Sequence, residues 1–410
     1  MKQLKTNKRK IINDPVHGFI SVQYDSIFDL IEHSYFQRLR RISQLGMTSL
    51  VYPGAIHTRF HHAIGAMHLM EMAIGVIRNK GHHITEKEAE AVNIAILLHD
   101  IGHGPYSHTL EKDIITSYDH ETLSLKYIQA LNKEMHGKLD MAIDIFINQY
   151  PKKFLHQLVS SQLDVDRLDY LRRDSFFTGV SEGVIGSERI IKMLNVFNDK
   201  LVVDAKGIYS IEKFLIARRL MYWQVYLHKT VLSAEKLLEI ILQRAKDLIA
   251  EGHKLNASDA LLWFLTHNNS ENDEMLEKFN RLDDSDIMSS VKAWVNNEDK
   301  ILSDLSGRLM NRRLFRMELQ RNPFDPDYVD MIRHRICKIF DISKQESKYY
   351  LNAGKISNSA YDNMDEEINI LRQGKLTDIA DASEMFDRAM LSHNVIKYYL
   401  CYPKEITMTE

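Results

Sequence analysis

Helical periodicity dominates the sequence after its N-terminal segment and constrains its fold more than any other feature. Apolar residues recur at positions i, i+3, i+4 and i+7 in RFHHAIGAMHLMEMAIGVIRN, EKEAEAVNIAILLHDIGHG, KFLHQLVSSQLDVDRLDYLRRDS and IEKFLIARRLMYWQVYLHKTVLSAEKLLEIILQRAKDLI. This spacing gives each helix an apolar face that other helices must cover. Only 7 prolines and 17 glycines interrupt 410 residues, which excludes a collagen-like chain. We predict a mainly α protein.

Two short stretches predict strands instead of helices. INDPVHGFISV predicts an extended hairpin near the N-terminus, and KLVVDAKGIYSI predicts a second hairpin with its turn at Lys206 and Gly207. Between the first hairpin and Gly54, SIFDLIEHSYFQRLRRISQLG predicts an amphipathic helical region closed by Gly46. Arg38, Arg40 and Arg41 in this region indicate either a solvated helix face or an anion site. The polar stretch HNNSENDE predicts a surface loop.

Charge and cysteine content restrict the partners. A formal net charge of −3 argues against a protein that wraps duplex DNA. Cys337 and Cys401 are the only cysteines, too few for a thiolate metal site, so any metal must use histidines and carboxylates. The sequence has neither an 18-residue apolar run nor the apolar core of a signal peptide, so we expect a cytoplasmic protein with no membrane partner.

The segment ILLHDIGHGPYSH carries the strongest chemical signal. An apolar helix ends here in His99 and Asp100, and such a polar pair costs stability unless it is hydrogen-bonded or coordinated. A buried ion pair at a helix end is one interpretation. A metal site is the other, because imidazole and carboxylate suit Mn, Fe or Zn, and carboxylate-rich sites also accept Mg.

Further ligands for such a metal must come from other helices. His62 in RFHHAIGAMHLM and Asp166 in LDVDRLDYLRRD are the candidates, and we expect four helices to bring the ligands to one bundle core. We interpret the neighbouring His61 and His68 as packing or outer contacts. Asp164 and Asp169 are expected to be helix caps or ion-pair partners.

Seven motifs in this order resemble one family. They are INDPVHG, FQRLRRISQLG, YPGAIHTRFHHAIG, LLHDIGHGPYSH, DHE, LDVDRLDYLRRD and YWQVYLHK. The chain resembles the HD superfamily, and specifically its SAM-and-HD-domain deoxynucleoside triphosphate triphosphohydrolases, from about residue 10 to 229. The motifs begin so early that we expect no SAM domain. The resemblance implies an HD-domain catalytic core over 1–185 with an N-terminal nucleotide-site segment. It also implies a helical region over 186–410 that completes the active site to about residue 245 and supplies oligomer contacts.

The resemblance also implies a reaction. His62, His99, Asp100 and Asp166 match the family's metal ligands, and the reaction is hydrolysis of a dNTP to a deoxynucleoside and inorganic triphosphate. The family's catalytic positions match His103, His108 and His120, with Glu111 where many members have Asp. We favour His108 as the proton donor to the leaving 5′-oxygen, because a histidine can act as an acid near neutral pH.

Substrate contacts follow from the same resemblance. Phosphate contacts map onto Arg59, Arg167 and Arg218, consistent with the need for cations around a triphosphate. The remaining positions surround the nucleoside: Tyr226 as the aromatic that excludes a 2′-hydroxyl, Gln44 and Asp174 at the 3′-hydroxyl, Leu45 and Tyr170 nearby, and Tyr222 where relatives have a histidine. The base is left open, with dGTP favoured.

Relatives also bind regulatory nucleotides between the subunits of a tetramer. The matching positions in this chain are Lys10, Asn13, Gln37, Arg40 and Arg312, with Glu32 where a guanine-reading aspartate is expected. The resemblance therefore implies a nucleotide activator and a homotetramer.

Two other functions compete with this reading. One is another HD-domain phosphohydrolase, such as a nucleotide phosphatase, a cyclic-nucleotide phosphodiesterase or a nuclease, because metal chemistry alone does not name the substrate. The other is a nucleotide sensor without turnover. Release of tripolyphosphate distinguishes the dNTP triphosphohydrolase from both.

Overall fold

Helices form most of the described chain, as the sequence predicts. The structure is a computed structural model that describes residues 10–106, 110, 118–267, 273–358, 367–386 and 395–407. The helices of its first half are α1 (Asp25–Glu32), α2 (Ser34–Gln37), α3 (Arg59–Asn79), α4 (Glu86–Leu98), α5 (His120–Glu134), α6 (Asp140–Phe146), α7 (Lys153–Val159), α8 (Val165–Thr178) and α9 (Ser187–Met193). Those of the second half are α10 (Ile208–Met221), α11 (Lys229–Ala250), α12 (Asp259–Thr266), α13 (Asp273–Arg281), α14 (Asp284–Trp294), α15 (Lys300–Met310), α16 (Pro326–Phe340) and α17 (Ile379–Ala382).

Helix α3 is the central element of the first half. It packs against both α4 and α8, and its side chains are buried on nearly every side, from Phe60 through Met67 to Ile77. A helix that is apolar around most of its circumference belongs in the interior of a protein. The position of α3 therefore carries the polar side chain of His62 into the core, where it is fully buried.

Helix caps fix where α4 and α8 begin. Thr85 and Glu88 form a capping box at the start of α4. Asp164 caps α8 by accepting a hydrogen bond from Arg167 N at 2.7 Å, so the prediction that Asp164 is a cap is confirmed. The end of α4 and the first turn of α8, which these caps fix, both contact α3.

The predicted ligands come from these three helices, and the expectation that four helices supply them was wrong.

The predicted helical region before Gly46 is broken into short pieces. His33 has an extended backbone between α1 and α2, and its Nδ1 accepts a hydrogen bond from Tyr35 N. The 3₁₀ turns Arg38–Arg41 and Gly46–Leu50 follow. Gly46 has φ +50° and begins the second turn. It therefore starts an element at the point where the sequence pattern predicts that one ends.

The predicted N-terminal hairpin is confirmed, but the second hairpin was placed wrongly. Its predicted second strand, IYSI, is the start of helix α10 (Ile208–Met221), and Lys200–Asp204 pairs with the residues before it instead. Strands β1 (Ile11–Asp14) and β2 (Gly18–Ser21) pair antiparallel, as do β3 (Leu194–Phe197) and β4 (Lys200–Asp204). The second turn lies at Asn198 and Asp199, with φ of +51° and +61°, and not at Lys206 and Gly207. Asn and Asp tolerate this left-handed conformation. Gly207 serves close packing, because a Cβ there would lie 2.7 Å from Val203 Cγ1.

The C-terminal region contains strands that the sequence pattern does not predict. Strand β4 pairs in parallel with β7 (Asn369–Arg372), which pairs with β8 (Lys375–Asp378). A separate sheet has the order β5 (Arg316–Gln320), β9 (Val395–Tyr402), β6 (Asn352–Asn358). No helix in the described ranges is long and apolar enough to cross a membrane. Most of the predicted polar loop, 268–272, lies outside the described residues.

Gly65 on α3 allows α8 to approach, and this generates a stability prediction. A Cβ at Gly65 would lie 2.1 Å from both Arg173 Nη2 and Asp169 Oδ1. We expect Gly65→Ala to lower the free energy of unfolding by about 1–3 kcal/mol or more, measured by chemical denaturation, because overpacking forces buried groups apart.

Gly75 on the same helix is the matched control. A Cβ there meets nothing within 4 Å, so Gly75→Ala should stabilise the protein by about 0.5–1 kcal/mol. Equal stability of the two variants would contradict the close approach of α3 and α8.

Candidate metal centre and active site

Four side chains with metal-binding chemistry meet where α3, α4 and α8 come together. His62 lies on α3, Asp166 lies in the first turn of α8, and His99 and Asp100 directly follow α4. Asp166 Oδ1 lies 3.0 Å from His62 Nε2 and 3.4 Å from His99 Nε2. Asp100 Oδ1 lies 3.3 Å from His99 Nε2. His62, His99 and Asp166 can present ligand atoms within 4.8 Å of one another, which is close enough to share one cation.

Two buried imidazole nitrogens at this point fit a metal. Nε2 of His62 and Nε2 of His99 lack a hydrogen-bond partner among the described residues. The opposite nitrogens are held, because His62 Nδ1 is 2.8 Å from Asp169 Oδ2 and His99 Nδ1 donates to the Ile96 carbonyl at 2.6 Å. These bonds hold the Nδ1 side of each ring, so Nε2 is the atom that a cation or a proton can occupy. Two imidazoles and a carboxylate suit a divalent first-row metal.

The neighbouring carboxylates change the pKa of His62. Burial alone lowers the pKa of an imidazole, but Asp166 and Asp169 outweigh burial and raise the pKa of His62 to about 10. Burial also opposes the charge of Asp166, yet His62 and His99 hold its pKa below its ordinary value. A divalent cation and a proton compete for the same lone pair of His62.

A buried ionic network supports His62 from behind. Asp169 Oδ2, which binds His62, also accepts from Arg173 Nε at 2.8 Å, and Asp169 Oδ1 lies 2.7 Å from His17 Nε2. Arg173 Nη1 then donates to Asp14 Oδ2 at 2.8 Å. The prediction that Asp169 is an ion-pair partner is therefore confirmed. The network joins the N-terminal hairpin to the metal centre, and outer contacts of this kind orient metal-binding histidines.

One cavity of about 530 Å³ opens beside the metal centre, a volume within the range of about 300–1,000 Å³ of small-molecule sites. All nine residues predicted to contact the substrate line it, namely Gln44, Leu45, Arg59, Arg167, Tyr170, Asp174, Arg218, Tyr222 and Tyr226. The cavity also reaches Asp100, Asp166, His103 and His120, and its wall includes Thr48, Tyr106 and Glu235, which were not predicted. The cavity thus joins the metal centre to a mixed basic and aromatic surface.

Three arginines make part of this surface basic. Arg59 is paired with Asp100, and Arg167 is paired with the helix-capping Asp164. Within the described residues, Nε of Arg167 and Nε of Arg218 are buried without a hydrogen-bond partner. Guanidinium groups with unused N–H donors suit a phosphate or carboxylate ligand.

The aromatic part of the wall comes from an unusual helix turn. Tyr222–Tyr226 is π-helical and directly follows α10, and single π-helical turns recur at functional sites. The rings of Tyr222 and Tyr226 lie 5.1 Å apart at 88°. Tyr226 OH donates to Asp174 Oδ2 at 2.8 Å. Burial and the charge of Asp174 keep the pKa of Tyr226 well above its ordinary value, so Tyr226 stays a neutral donor.

Two of the predicted catalytic histidines lie beside the metal centre. The rings of His103 and His120 stack at 4.1 Å and 15°, and His103 Nε2 lies 3.4 Å from Asp100 Oδ1. Burial and the charge of Arg59 hold the pKa of His103 well below its ordinary value, so this imidazole is neutral. His108 and Glu111 lie outside the described residues.

The residues predicted for a second nucleotide site fall in two places. Lys10 Nζ lies 3.4 Å from Glu32 Oε1, and Arg40 Nε donates to Gln37 Oε1 at 2.9 Å. These pairs are adjacent, because Gln37 also donates to the carbonyl of Ile31. Asn13 lies on β1. Arg312 instead donates to the Leu50 carbonyl at 2.8 Å.

Sequence reasoning missed several residues that support the site. Asp14, His17 and Arg173 were not singled out, although Arg173 follows Asp169 by one helical turn, a spacing that favours ion pairs. His57 was also missed. Its Nε2 lies 2.7 Å from Asp174 Oδ1, and only its place in the YPGAIHTRFHHAIG motif marks it in the sequence.

Removal of a ligand side chain should abolish metal binding. We expect the wild-type protein to retain Mn²⁺ after dialysis and His62→Gln and Asp166→Asn to lose it, measured by elemental analysis. Asp169→Asn should weaken metal affinity about 10–100-fold, because it disturbs the orientation of His62. The exposed His83 supplies the control, and a loss of metal from His83→Gln equal to that from His62→Gln would contradict the site.

Metal binding should release protons near neutral pH. The raised pKa of His62, about 10, means that Nε2 carries a proton until a cation displaces it. Calorimetric titration with Mn²⁺ in two buffers of different ionisation enthalpy should therefore give different heats, and the affinity should fall as pH falls. Identical heats in both buffers would contradict this protonation state.

Comparisons with known proteins agree with this geometry. A family model described as HD domain matches residues 59–174, and one described as HD associated region matches residues 185–269. The chain is 34% identical to an uncharacterized Bacillus subtilis protein, YwfO, over 98% of this chain and 94% of that protein. It is also 34% identical to the Dictyostelium discoideum homologue of the deoxynucleoside triphosphate triphosphohydrolase SAMHD1, over 62% of this chain and 54% of that protein.

A solved structure agrees as well. The crystal structure of a phosphohydrolase from Bacteroides thetaiotaomicron superposes with a TM-score of 0.94 and 51% identity, over 97% of this chain and 100% of that chain. The superposition covers 97% of this chain, and the two family models match residues 59–174 and 185–269. The similarity is therefore not confined to single motifs. This chain therefore belongs to the HD-domain family of metal-dependent hydrolases.

Proposed function

We propose that this protein is a metal-dependent dNTP triphosphohydrolase, which cleaves a dNTP to a deoxynucleoside and inorganic triphosphate. One observation carries the proposal: a single cavity joins the metal centre, three arginines and the Tyr226–Asp174 pair. A triphosphate needs the first two groups, and a sugar needs the third. The name of the Dictyostelium relative supports the same reaction.

The triphosphate would bind at the basic part of the cavity. Arg59 holds Asp100 beside the metal centre, and Arg167 follows Asp166 in the sequence. Arg218 is largely buried, so its charge is weakly screened by water. Together these guanidinium groups would hold the phosphates and keep the α-phosphate near the metal centre.

The deoxyribose would bind against the hydrogen-bonded pair Tyr226 and Asp174. Asp174 is a buried carboxylate in the cavity wall and can accept the 3′-hydroxyl, and Gln44 can bind the same group. The Tyr226 ring, held through its hydroxyl, would occupy the space that a 2′-hydroxyl needs. Leu45, Tyr170 and Tyr222 line the same cavity and would contact the rest of the nucleoside.

The chemistry divides between the cation and the histidines. When bound, a divalent cation polarises a phosphate oxygen and makes water more acidic. Attack of water at the α-phosphorus breaks the bond to the 5′-oxygen, which then needs a proton. His108 is our proposed donor, with Glu111 to orient it. The neutral His103, stacked on His120, would lie beside the reacting groups without adding a positive charge of its own.

We include regulation and assembly in the proposal. Lys10, Glu32, Gln37 and Arg40, with Asn13 on the hairpin, would form the activator site, and Arg312 would contact it from another subunit of a homotetramer. The adjacent polar pairs Lys10–Glu32 and Arg40–Gln37 support this part. Hydrolysis of a different phosphate ester is the second candidate, favoured by the broader name of the Bacteroides phosphohydrolase.

Product analysis tests the reaction. The purified protein with Mn²⁺ or Mg²⁺ and each dNTP, dGTP first, should release tripolyphosphate and a deoxynucleoside, separated by ion-exchange chromatography. Arg218→Ala should lower kcat/KM about 10–100-fold, because a charge-assisted contact to phosphate is lost. Arg189→Ala is the control, since Arg189 lies outside the cavity lining and bonds Ser210.

Other outcomes of this assay separate the alternatives. Orthophosphate or pyrophosphate as the sole phosphate product would contradict the proposed reaction and favour another phosphohydrolase. Binding of dNTP without turnover would favour a sensor. If a second dNTP never raises the rate, and Arg40→Ala changes neither rate nor assembly, the regulatory part is wrong.

A further inference from the structure

A fully buried histidine stands behind the cavity wall. His57 is 1% exposed, and its Nε2 lies 2.7 Å from Asp174 Oδ1. A buried carboxylate can only accept a hydrogen bond, so Nε2 must carry the proton and donate it. The Nδ1 atom has no hydrogen-bond partner among the described residues. Within the described residues, Asp174 is therefore the hydrogen-bond partner of the His57 imidazole.

Stacking prevents this imidazole from turning away. The rings of His57 and Phe177 lie 4.4 Å apart at 17°, and both His57 and Asp174 are almost completely buried. The N–H therefore has a fixed direction, which defines the plane of the Asp174 carboxylate. Groups held in this way by their neighbours keep a functional side chain in one geometry.

The second oxygen of Asp174 fixes the position of the Tyr226 hydroxyl. Tyr226 OH donates to Asp174 Oδ2 at 2.8 Å, while Oδ1 faces His57. His57, Asp174 and Tyr226 thus form a continuous chain from the protein interior to the cavity. Loss of the His57 donor would free the carboxylate to rotate, and the hydroxyl of Tyr226 would lose its fixed acceptor.

We infer that His57 is a positioning residue for sugar recognition: it fixes Asp174, and through it Tyr226, so that the cavity accepts a 2′-deoxy sugar and excludes ribose. The inference rests on the proposed function and adds the residue that sets its sugar selectivity. The side chain of His57 bonds Asp174 and stacks on Phe177, so its removal should change selectivity more than phosphate binding.

The test is the ratio of kcat/KM for a dNTP to kcat/KM for the NTP with the same base. His57→Phe keeps a ring on Phe177 but removes the donor, and it should lower this ratio about tenfold or more. His57→Gln retains an N–H donor near the Nε2 position and should restore most of the ratio. Melting temperatures identify any variant that fails to fold.

His61 is the matched control. Its ring lies 6.3 Å from the same Phe177 ring, but it bonds Thr58 instead of Asp174. His61→Gln should leave the ratio unchanged even if it lowers the melting temperature. In an Asp174→Ala background, His57→Phe should change the ratio no further, because His57 acts through Asp174.

The outcomes separate this inference from the proposed function. Tripolyphosphate release with an unchanged ratio in His57→Phe would overturn the inference and leave the function standing. If no tripolyphosphate is released, the function fails, and calorimetric Kd values for the dNTP and NTP without divalent cation decide the inference. A deoxy preference in binding that His57→Phe removes would support it, and equal Kd values for wild type would overturn it.

Discussion

The ion pair between Asp169 and Arg173 is the interaction on which the rest of the site depends. Both side chains are fully buried, and a buried charge without its partner destabilises a protein by several kcal/mol, about 3–5 in measured cases. Asp169 also bonds His62 and His17, and Arg173 also bonds Asp14. The pair therefore connects α3, α8 and the N-terminal hairpin while it fixes the imidazole at the metal centre.

The wall of the cavity is also built from charged side chains that are already paired with neighbours. Arg59 pairs with Asp100, Arg167 pairs with Asp164, and Asp174 lies between His57 and Tyr226. Such preorganised groups need little rearrangement when a charged ligand binds. This is why we propose a triphosphate at one part of the cavity and a deoxy sugar at another.

The sequence predicts the helices and the cluster of ligand residues, because periodicity and ordered motifs report on local structure. It does not predict long-range pairing, and β4 pairs with β7 across more than 160 residues. Arg38 shows a second limit. Its place among three arginines indicates a solvated face or an anion site, yet it is fully buried, donates to the Ile101 carbonyl and lies over the Phe279 ring. Only tertiary packing decides between such environments.

The central claim is that one cavity binds both a divalent cation and a deoxynucleotide. A crystal structure with Mn²⁺ and a non-hydrolysable α,β-imido dNTP, with anomalous scattering recorded for manganese, tests it most directly. We predict an anomalous peak among His62, His99 and Asp166, phosphates against Arg218, and the sugar beside Asp174. Manganese elsewhere, or a nucleotide outside this cavity, would contradict the account.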